Sequence, residues 1–252
     1  MQVKDSVIII TGGGQGLGRS MAEYLAAKGA KLALVDLNQE RLDEAVAACK
    51  SAGGDARSYI CNVANEEQVE NMVSQVANDF GAINGLINNA GILRDGLLIK
   101  AKDGQIQKMS LAQWQSVIDV NLTGVFLGTR EVAAKMIELG NKGLIINISS
   151  ISRAGNIGQS NYSAAKAGVA AMTVVWGKEL ARHGIRVAGI APGFIETEMT
   201  AGMKPEALEK MTSGIPLKRM GKPEEIAHSA AYLFENDYYT GRILELDGGI
   251  RL

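Results

Sequence analysis

Short apolar runs alternate with longer amphipathic segments along the whole chain. The first run, at 7–10, reads Val-Ile-Ile-Ile and is apolar without alternation. Runs of this kind, rich in β-branched residues, are typical of strands that are buried on both faces of a parallel sheet. Further strands are predicted at 31–35, 57–61, 86–87, 144–148, 186–191 and 243–246, and helices at 19–28, 38–51, 65–80, 110–139, 161–183 and 223–234.

Strict alternation of strand and helix predicts an α/β fold. We expect a single Rossmann-type domain over 1–252, with a doubly wound parallel sheet of about seven strands and helices on both faces. No linker or low-complexity segment divides the chain. At two helix starts, the pairs Asn65 with Gln68 and Ser110 with Gln113 have the spacing of a capping box, in which each side chain bonds the other residue's backbone.

Two irregular segments, 92–109 and 193–221, follow the carboxyl ends of predicted strands. Ligands bind at those ends in this architecture, so we expect both segments to form substrate loops. A simple surface hairpin is the alternative for 92–109. Within the second segment, Met199, Met203 and Met211 are candidates for lining an apolar pocket, with ordinary helix packing as the alternative.

Composition excludes several classes of function. The 252 residues carry a net charge of −1 and no basic cluster, so nucleic acid is not an expected partner. The two cysteines and two histidines have no metal-ligand spacing, and no disulfide framework is indicated. No apolar run approaches the ~20 residues that span a bilayer, so no membrane partner is expected. The expected compartment is the cytoplasm.

A glycine-rich turn joins the first strand to the first helix, and it reads Thr-Gly-Gly-Gly-Gln-Gly-Leu-Gly at 11–18. Gly12 permits a tight turn, Gly16 lets the backbone approach a pyrophosphate, and Gly18 lets the helix pack against the strand. The helix N-terminus then offers free N–H groups to the anion. The predicted dinucleotide contacts in this turn are Gly12, Gln15, Gly16, Leu17 and Gly18.

An acidic residue, Asp36, ends the second predicted strand. Its carboxylate could accept hydrogen bonds from the adenosine ribose and would repel a 2′-phosphate. Leu37 follows where an arginine would favour NADP, and Gln15 brings no charge to the turn. The sequence therefore predicts a preference for NAD(H) over NADP(H), with Asp36 and Leu37 as cofactor contacts. The alternative role for Asp36 is a helix N-cap, although Asn38 is available for that.

Tyr162 and Lys166 lie one helical turn apart, so their side chains leave the same helix face. A nearby ammonium favours the phenolate and lowers the pKa of a tyrosine. The pair is therefore a candidate acid/base device, and a chance pairing on a solvated helix is the alternative.

Further motifs complete a recognisable set. They are Asn88-Asn89-Ala90-Gly91, Asn121, the Ser149-Ser150 pair and Pro192-Gly193 followed by Thr197. With the glycine turn and the Tyr162/Lys166 pair, they make the chain resemble, from end to end, a short-chain dehydrogenase/reductase. The resemblance is strongest to the 3-oxoacyl-[acyl-carrier-protein] reductase branch.

The resemblance implies catalytic roles for four residues. Tyr162 is the expected general acid/base, and Lys166 is expected to lower its pKa and to hold the nicotinamide ribose. A serine after the fifth strand is expected to hydrogen-bond the substrate oxygen. Ser150 occupies the strand end, while Ser149 is the alternative because it lies thirteen residues before Tyr162. Asn121 is expected to hold a water that links Lys166 to solvent.

The resemblance also implies the remaining cofactor contacts. Asn62 and Val63 are expected near the adenine, where the amide oxygen of Asn62 can accept from the amino group. The other expected contacts are Asn89, Ala90 and Gly91 on the adenosine side, and Pro192, Gly193, Ile195 and Thr197 on the nicotinamide side.

The function predicted from these residues is the interconversion of a secondary alcohol and a ketone by an NAD(H)-dependent oxidoreductase. A 3-oxoacyl/3-hydroxyacyl thioester is the first substrate expected from the resemblance, with or without a carrier protein. A small, steroid-like or polyol alcohol is an alternative substrate, and a non-catalytic NAD-binding regulator is an alternative function. The resemblance implies a homotetramer.

Overall fold

The computed structural model describes residues 1–197 and 205–251. Met199 and Met203, and the side chain of Met211, lie outside this described part, and so do residues 198–204 of the predicted substrate segment 193–221.

Seven of the described strands form one parallel sheet. They are β1 (Val7–Thr11), β2 (Lys31–Asp36), β3 (Asp55–Ile60), β4 (Gly85–Asn88), β7 (Gly143–Ile148), β8 (Ile185–Pro192) and β9 (Ile243–Leu246). Their order across the sheet is β3-β2-β1-β4-β7-β8-β9. Successive strands are added on one side of β1 up to β3 and on its other side from β4 onward. Ligands bind at this switch point between β1 and β4 in doubly wound sheets. The predicted fold is confirmed.

Helices cover both faces of this sheet. Those described are α1 (Gly16–Ala27), α2 (Gln39–Ser51), α3 (Glu66–Phe80), α4 (Leu111–Ile118), α5 (Gly124–Glu138), α6 (Ser160–Glu179), α7 (Pro205–Ser213) and α8 (Pro223–Glu235). None of the helices in the described ranges combines the length and apolarity that a membrane crossing requires.

Alternate side chains of β1 enter two separate cores. Ile8 and Ile10 pack with α1, α2 and α8 on one face, whereas Val7 and Ile9 pack with α3 and α5 on the other. This two-residue period explains why the strand is apolar throughout. The sheet is thus fixed from both sides, which holds its carboxyl edge in place.

The predicted long helix at 110–139 is interrupted. It consists of α4, one π-helical turn at Asp119–Thr123, and α5. Asn121, in this turn, is completely buried, and its side chain bonds to the backbone of Ile92. Such single π-turns are frequent at functional sites.

The predicted capping boxes form only in part. Asn65 and Ser110 do accept hydrogen bonds from the backbone N–H groups of Gln68 and Gln113. The glutamine side chains do not return the bond, because each holds a neighbouring loop instead. Gln113 Nε2 donates to the carbonyl of Arg94 at 2.9 Å, which ties the segment 92–109 to α4.

The segment 92–109 contains an antiparallel hairpin, β5 (Ile99–Lys102) and β6 (Gln105–Lys108), whose residues are all exposed. Asp103 and Gly104 adopt positive φ angles of 50° and 73° in its turn. The hairpin that the sequence offered as an alternative is therefore present.

Candidate active site

A cavity of about 690 Å³ opens at the carboxyl edge of the sheet, beside β1, β4, β7 and β8. Most of the predicted site residues line it. They are Gly12, Gln15, Gly16, Leu17, Asn89, Ala90, Gly91, Ser150, Tyr162, Lys166, Pro192, Gly193, Ile195 and Thr197. Parallel strands bring these distant motifs together because each motif follows the end of a strand.

Several lining residues were not predicted. They are Ile92, Leu93, Arg94, Ile148, Ile151, Ser152, Gln159 and Phe194. Four of them lie in the segments 92–109 and 193–221, so the position of those segments after strand ends was the usable signal. Arg94 is exposed and places a guanidinium group on the wall of the cavity.

Six predicted residues do not line this cavity: Gly18, Asp36, Leu37, Asn62, Val63 and Asn121. Gly18 instead allows close packing, since a Cβ there would lie 2.1 Å from the carbonyl oxygen of Gly12. The amide oxygen of Asn62, expected to face adenine, accepts from the backbone N–H of Ala64 at 3.1 Å.

The glycine turn is held by residues that follow β4. Asn89 Nδ2 donates to the carbonyls of Thr11 and Gly12 at 3.0 and 3.2 Å. Thr11 Oγ1 accepts in return from the N–H groups of Asn89 and Ala90 at 3.0 and 3.1 Å. These bonds explain why the two motifs occur together, since β1 and β4 are neighbours in the sheet.

The turn has the shape that a dinucleotide requires. Gly16 has a φ of +53°, and a Cβ placed on it would meet no atom within 4 Å, so its backbone borders open space. The N-terminus of α1 has no side-chain cap, which leaves its N–H groups for a ligand. The residues present therefore fit a pyrophosphate at this point.

The two serines after β7 have different partners. The Ser149 hydroxyl donates to the carbonyl of Lys166 at 2.9 Å and is buried. Ser150 Oγ accepts from the N–H of Ser152 at 3.1 Å and lies within hydrogen-bonding reach of Tyr162. Ser149 thus fastens α6 to the strand end, while Ser150 is the serine beside the phenol.

Burial controls the titration of Tyr162 and Lys166. It raises the pKa of Tyr162, an effect that the hydrogen bond from Ser150 opposes and the negative charge of Asp95 reinforces. Burial lowers the pKa of Lys166 to about 8. The net lowering of the Tyr162 pKa that its pairing with Lys166 predicted is therefore wrong for this structure, because the loss of solvent dominates.

Lys166 is directed at the strand rather than at the phenol oxygen. Its Nζ donates to the carbonyl of Ile148 at 2.7 Å and lies 5.6 Å from the centre of the Tyr162 ring. The two side chains nevertheless share the same cavity wall, as their spacing on α6 predicted.

The side chain of Asn121 makes two hydrogen bonds to one residue of the cavity wall. Its Oδ1 accepts from the N–H of Ile92 at 2.8 Å, and its Nδ2 donates to the carbonyl of Ile92 at 2.9 Å. The side chain of Asn121 therefore positions the start of the segment 92–109.

Within residues 1–197 and 205–251, no group of three or more His, Cys, Asp or Glu side chains is placed to hold a metal ion.

Comparisons with known proteins match nearly the whole chain. A family model described as enoyl-(acyl carrier protein) reductase matches residues 12–251. The chain is 42% identical to a 3-oxoacyl-[acyl-carrier-protein] reductase of Thermotoga maritima, over 99% of each chain. It is 37% identical to an acetoacetyl-CoA reductase of Synechocystis, over 98% of this chain and 96% of the relative. The crystal structure of levodione reductase matches with a TM-score of 0.88 and 36% identity, over 98% of this chain and 97% of that one.

The expected preference for NAD over NADP is wrong, because the 3-oxoacyl-[acyl-carrier-protein] reductases related to this chain are NADPH-dependent. In the structure, Asp36 bonds the backbone around the turn. Its Oδ2 accepts from the N–H of Gly14 at 3.3 Å, and its Oδ1 accepts from the N–H of Leu37 at 2.7 Å.

A second, polar cavity of about 330 Å³ lies beside Gly14 and Gln15. Arg19 and Arg41 line it together with Glu40 and Glu44, and Arg19 is paired with Glu44 at 3.3 Å. They lie on α1 and α2, outside the positions next to Asp36 that the sequence argument considered.

The matched family model, the relatives and the arrangement of Ser150, Tyr162 and Lys166 around one cavity lead to a single assignment. The chain is an oxidoreductase that belongs to the short-chain dehydrogenase/reductase family.

Proposed function

We propose that the protein reduces the 3-oxo group of an acyl thioester to a 3-hydroxy group, with NADPH as the reductant. The observation that carries this proposal is the convergence of Ser150, Tyr162 and Lys166 on a cavity that also contains the glycine turn. Support for the substrate class comes from the relatives, which are named as 3-oxoacyl-[acyl-carrier-protein] and acetoacetyl-CoA reductases.

The bound nicotinamide would supply a hydride to the carbonyl carbon of the substrate. Gly16 and the N-terminus of α1 would hold the pyrophosphate of the cofactor. On the nicotinamide side, the proposed contacts are Pro192, Gly193, Ile195 and Thr197, all of which line the cavity.

Tyr162 would donate the proton that the substrate oxygen needs as it becomes a hydroxyl group. Its raised pKa keeps the phenol protonated at neutral pH, which suits a proton donor in the reductive direction. Ser150 would donate a hydrogen bond to the same oxygen and stabilise its developing charge. Lys166, whose pKa is about 8, would stabilise the phenolate that remains after proton transfer.

We propose the segments 92–109 and 193–221 as the substrate side of the site. Leu93 and Phe194 provide apolar surface on the cavity wall, and Arg94 and Gln159 provide polar groups. This mixture suits an acyl chain with a polar thioester handle. A small, steroid-like or polyol alcohol is the alternative substrate, and a non-catalytic dinucleotide-binding regulator is the alternative function.

A homotetramer is part of the proposal. Ala164, Ala167, Ala171 and Val175 lie on one face of α6 and are exposed. Small residues at helical spacing permit the close approach of a helix from another copy. Light scattering of the purified protein tests this: a mass of four chains supports it, and a monomer contradicts it.

A substrate screen that follows nicotinamide absorbance tests the proposed function. The panel contains acetoacetyl-CoA, a 3-oxoacyl carrier protein, a cyclic diketone and a polyol, each with NADPH and with NADH. We expect the highest kcat/KM for a thioester with NADPH. Turnover confined to the diketone or the polyol would show that the substrate is not an acyl thioester. Binding of NADPH without any turnover would favour the non-catalytic regulator.

A further inference from the structure

Asn161 lies directly before Tyr162, as the second residue of α6, and it is completely buried. It does not line the cavity. Its Nδ2 donates to the carbonyl of Arg94 at 3.0 Å and to the carbonyl of Gln113 at 3.2 Å. Its Oδ1 accepts from the N–H of Tyr162 at 2.8 Å. One side chain thus joins the segment 92–109, α4 and the start of α6.

Neighbouring bonds reinforce this junction. Gln159 Nε2 donates to the carboxylate of Asp95 at 2.9 Å, and the N–H of Gly96 donates to the carbonyl of Gly158 at 2.8 Å. Residues 94–96 are therefore fixed against residues 158–162. Arg94 and Tyr162 both line the cavity, so these bonds fix two parts of its lining relative to each other.

The position demands the chemistry of asparagine. Two buried carbonyl oxygens need donors, and one N–H at the helix start needs an acceptor. A carboxamide supplies all three. Aspartate would keep the acceptor but would set a negative charge against two carbonyl oxygens, and alanine would leave all three groups without this partner.

We propose that Asn161 is the positioning residue for Tyr162. It fixes the phenol relative to the segment 92–96, so that the proton donor and the substrate wall are held in one geometry. The proposal rests on the proposed role of Tyr162 as proton donor. A displacement of about 1 Å in a catalytic group can cost ~10²-fold in rate.

The test compares Asn161→Ala and Asn161→Asp with a matched control, Asn141→Ala. Asn141 also bridges backbone groups, since its Oδ1 accepts from the N–H of Ile83 at 2.9 Å and its Nδ2 donates to the carbonyl of Leu139 at 3.4 Å. It precedes β7 and so lies at the opposite edge of the sheet from the cavity. For each variant, kcat, KM for acetoacetyl-CoA, the Kd for NADPH and the melting temperature are measured.

We expect both Asn161 variants to lower kcat about 10- to 100-fold while the Kd for NADPH stays within about twofold of the wild type. Asn141→Ala should lower the melting temperature but keep kcat. Unchanged kcat in folded Asn161 variants overturns the positioning role. Failure of both variants to fold also overturns it, because Asn161 would then be a folding residue. Tyr162→Phe separates the two proposals: if it retains the wild-type rate, the proposed function fails instead.

Discussion

The ammonium group of Lys166 donates to the carbonyl oxygen of Ile148 over 2.7 Å. Ile148 is the last residue of β7, so the strand that leads to Ser150 also anchors the lysine. Lys166 is only 3% exposed, and its burial lowers its pKa from 10.5 to about 8. The proton equilibrium of Lys166 is therefore coupled to the stability of the fold.

Replacing Lys166 by Met should change how stability depends on pH. Below pH 8 the lysine is protonated in both the folded and the unfolded chain, so it does not make the free energy of unfolding depend on pH. Between pH 8 and 10.5 the unfolded chain holds the proton and the folded chain does not, so the wild-type free energy of unfolding should rise relative to Lys166→Met. The expected rise is about 3 kcal/mol.

Urea unfolding at pH 7.5 and 9.5 measures the part of this rise that falls below pH 9.5, which is about 2 kcal/mol. Lys50→Met, on the exposed surface of α2, is the control and should leave the dependence of stability on pH as in the wild type. If the free energy of unfolding depends on pH in the same way in the wild type and in Lys166→Met, the lowered pKa of the buried Lys166 is contradicted.

Replacing each of the adjacent serines, Ser149 and Ser150, should separate an effect on stability from an effect on activity. Ser150→Ala removes the hydroxyl beside Tyr162 and should lower kcat about 10²-fold with little change in melting temperature. Ser149→Ala removes the buried bond to the carbonyl of Lys166 and should cost about 1 kcal/mol of stability, with kcat within a few fold of the wild type. Steady-state kinetics and thermal melts of both variants test these roles. If Ser149→Ala lost turnover and Ser150→Ala kept it, the two serines would have the opposite roles.

Two glycines of the cofactor turn should respond differently to alanine. In Gly18→Ala, the new Cβ would lie 2.1 Å from the carbonyl oxygen of Gly12, so the turn must deform and the chain should lose both stability and NADPH binding. In Gly16→Ala, the Cβ has open space but the φ of +53° is strained, at a cost of about 1 kcal/mol.

Fluorescence titration with NADPH and thermal melts compare the two glycine variants. Gly16→Ala should remain folded and bind NADPH more weakly, because its methyl group enters the space proposed for the pyrophosphate. Wild-type affinity in Gly16→Ala would remove that position from the cofactor site.

The sheet could be predicted from sequence because its strands are encoded locally. The run at 7–10 sends alternate side chains into two cores, so it is apolar at every position. The glycine turn follows the strand directly, and its shape depends on positive φ angles that glycine favours. The strand and the turn can therefore both be predicted from about a dozen consecutive residues.

Other features depend on contacts that are distant in sequence. The π-turn in the predicted long helix contains Asn121, whose partner Ile92 lies 29 residues away. Gln113 has the spacing of a capping box but bonds Arg94 in another segment. The direction of the Tyr162 pKa shift required knowledge of burial, because the spacing to Lys166 alone predicted the opposite sign.

The cofactor prediction failed for the same reason. Asp36 was judged by its neighbours in sequence, whereas its carboxylate bonds the N–H of Gly14 across the turn. The adjoining cavity brings together Arg19 from α1 with Glu40, Arg41 and Glu44 from α2. A charge balance at a ligand site is a property of the folded surface, and a linear motif does not contain it.

The most direct measurement is the initial rate of NADPH oxidation with acetoacetyl-CoA at pH 7, for the wild type and for Tyr162→Phe, together with the Kd for NADPH. Loss of the phenolic proton donor should lower the rate about 10³-fold and leave the Kd within about twofold. A Tyr162→Phe variant that oxidises NADPH at the wild-type rate would contradict the account.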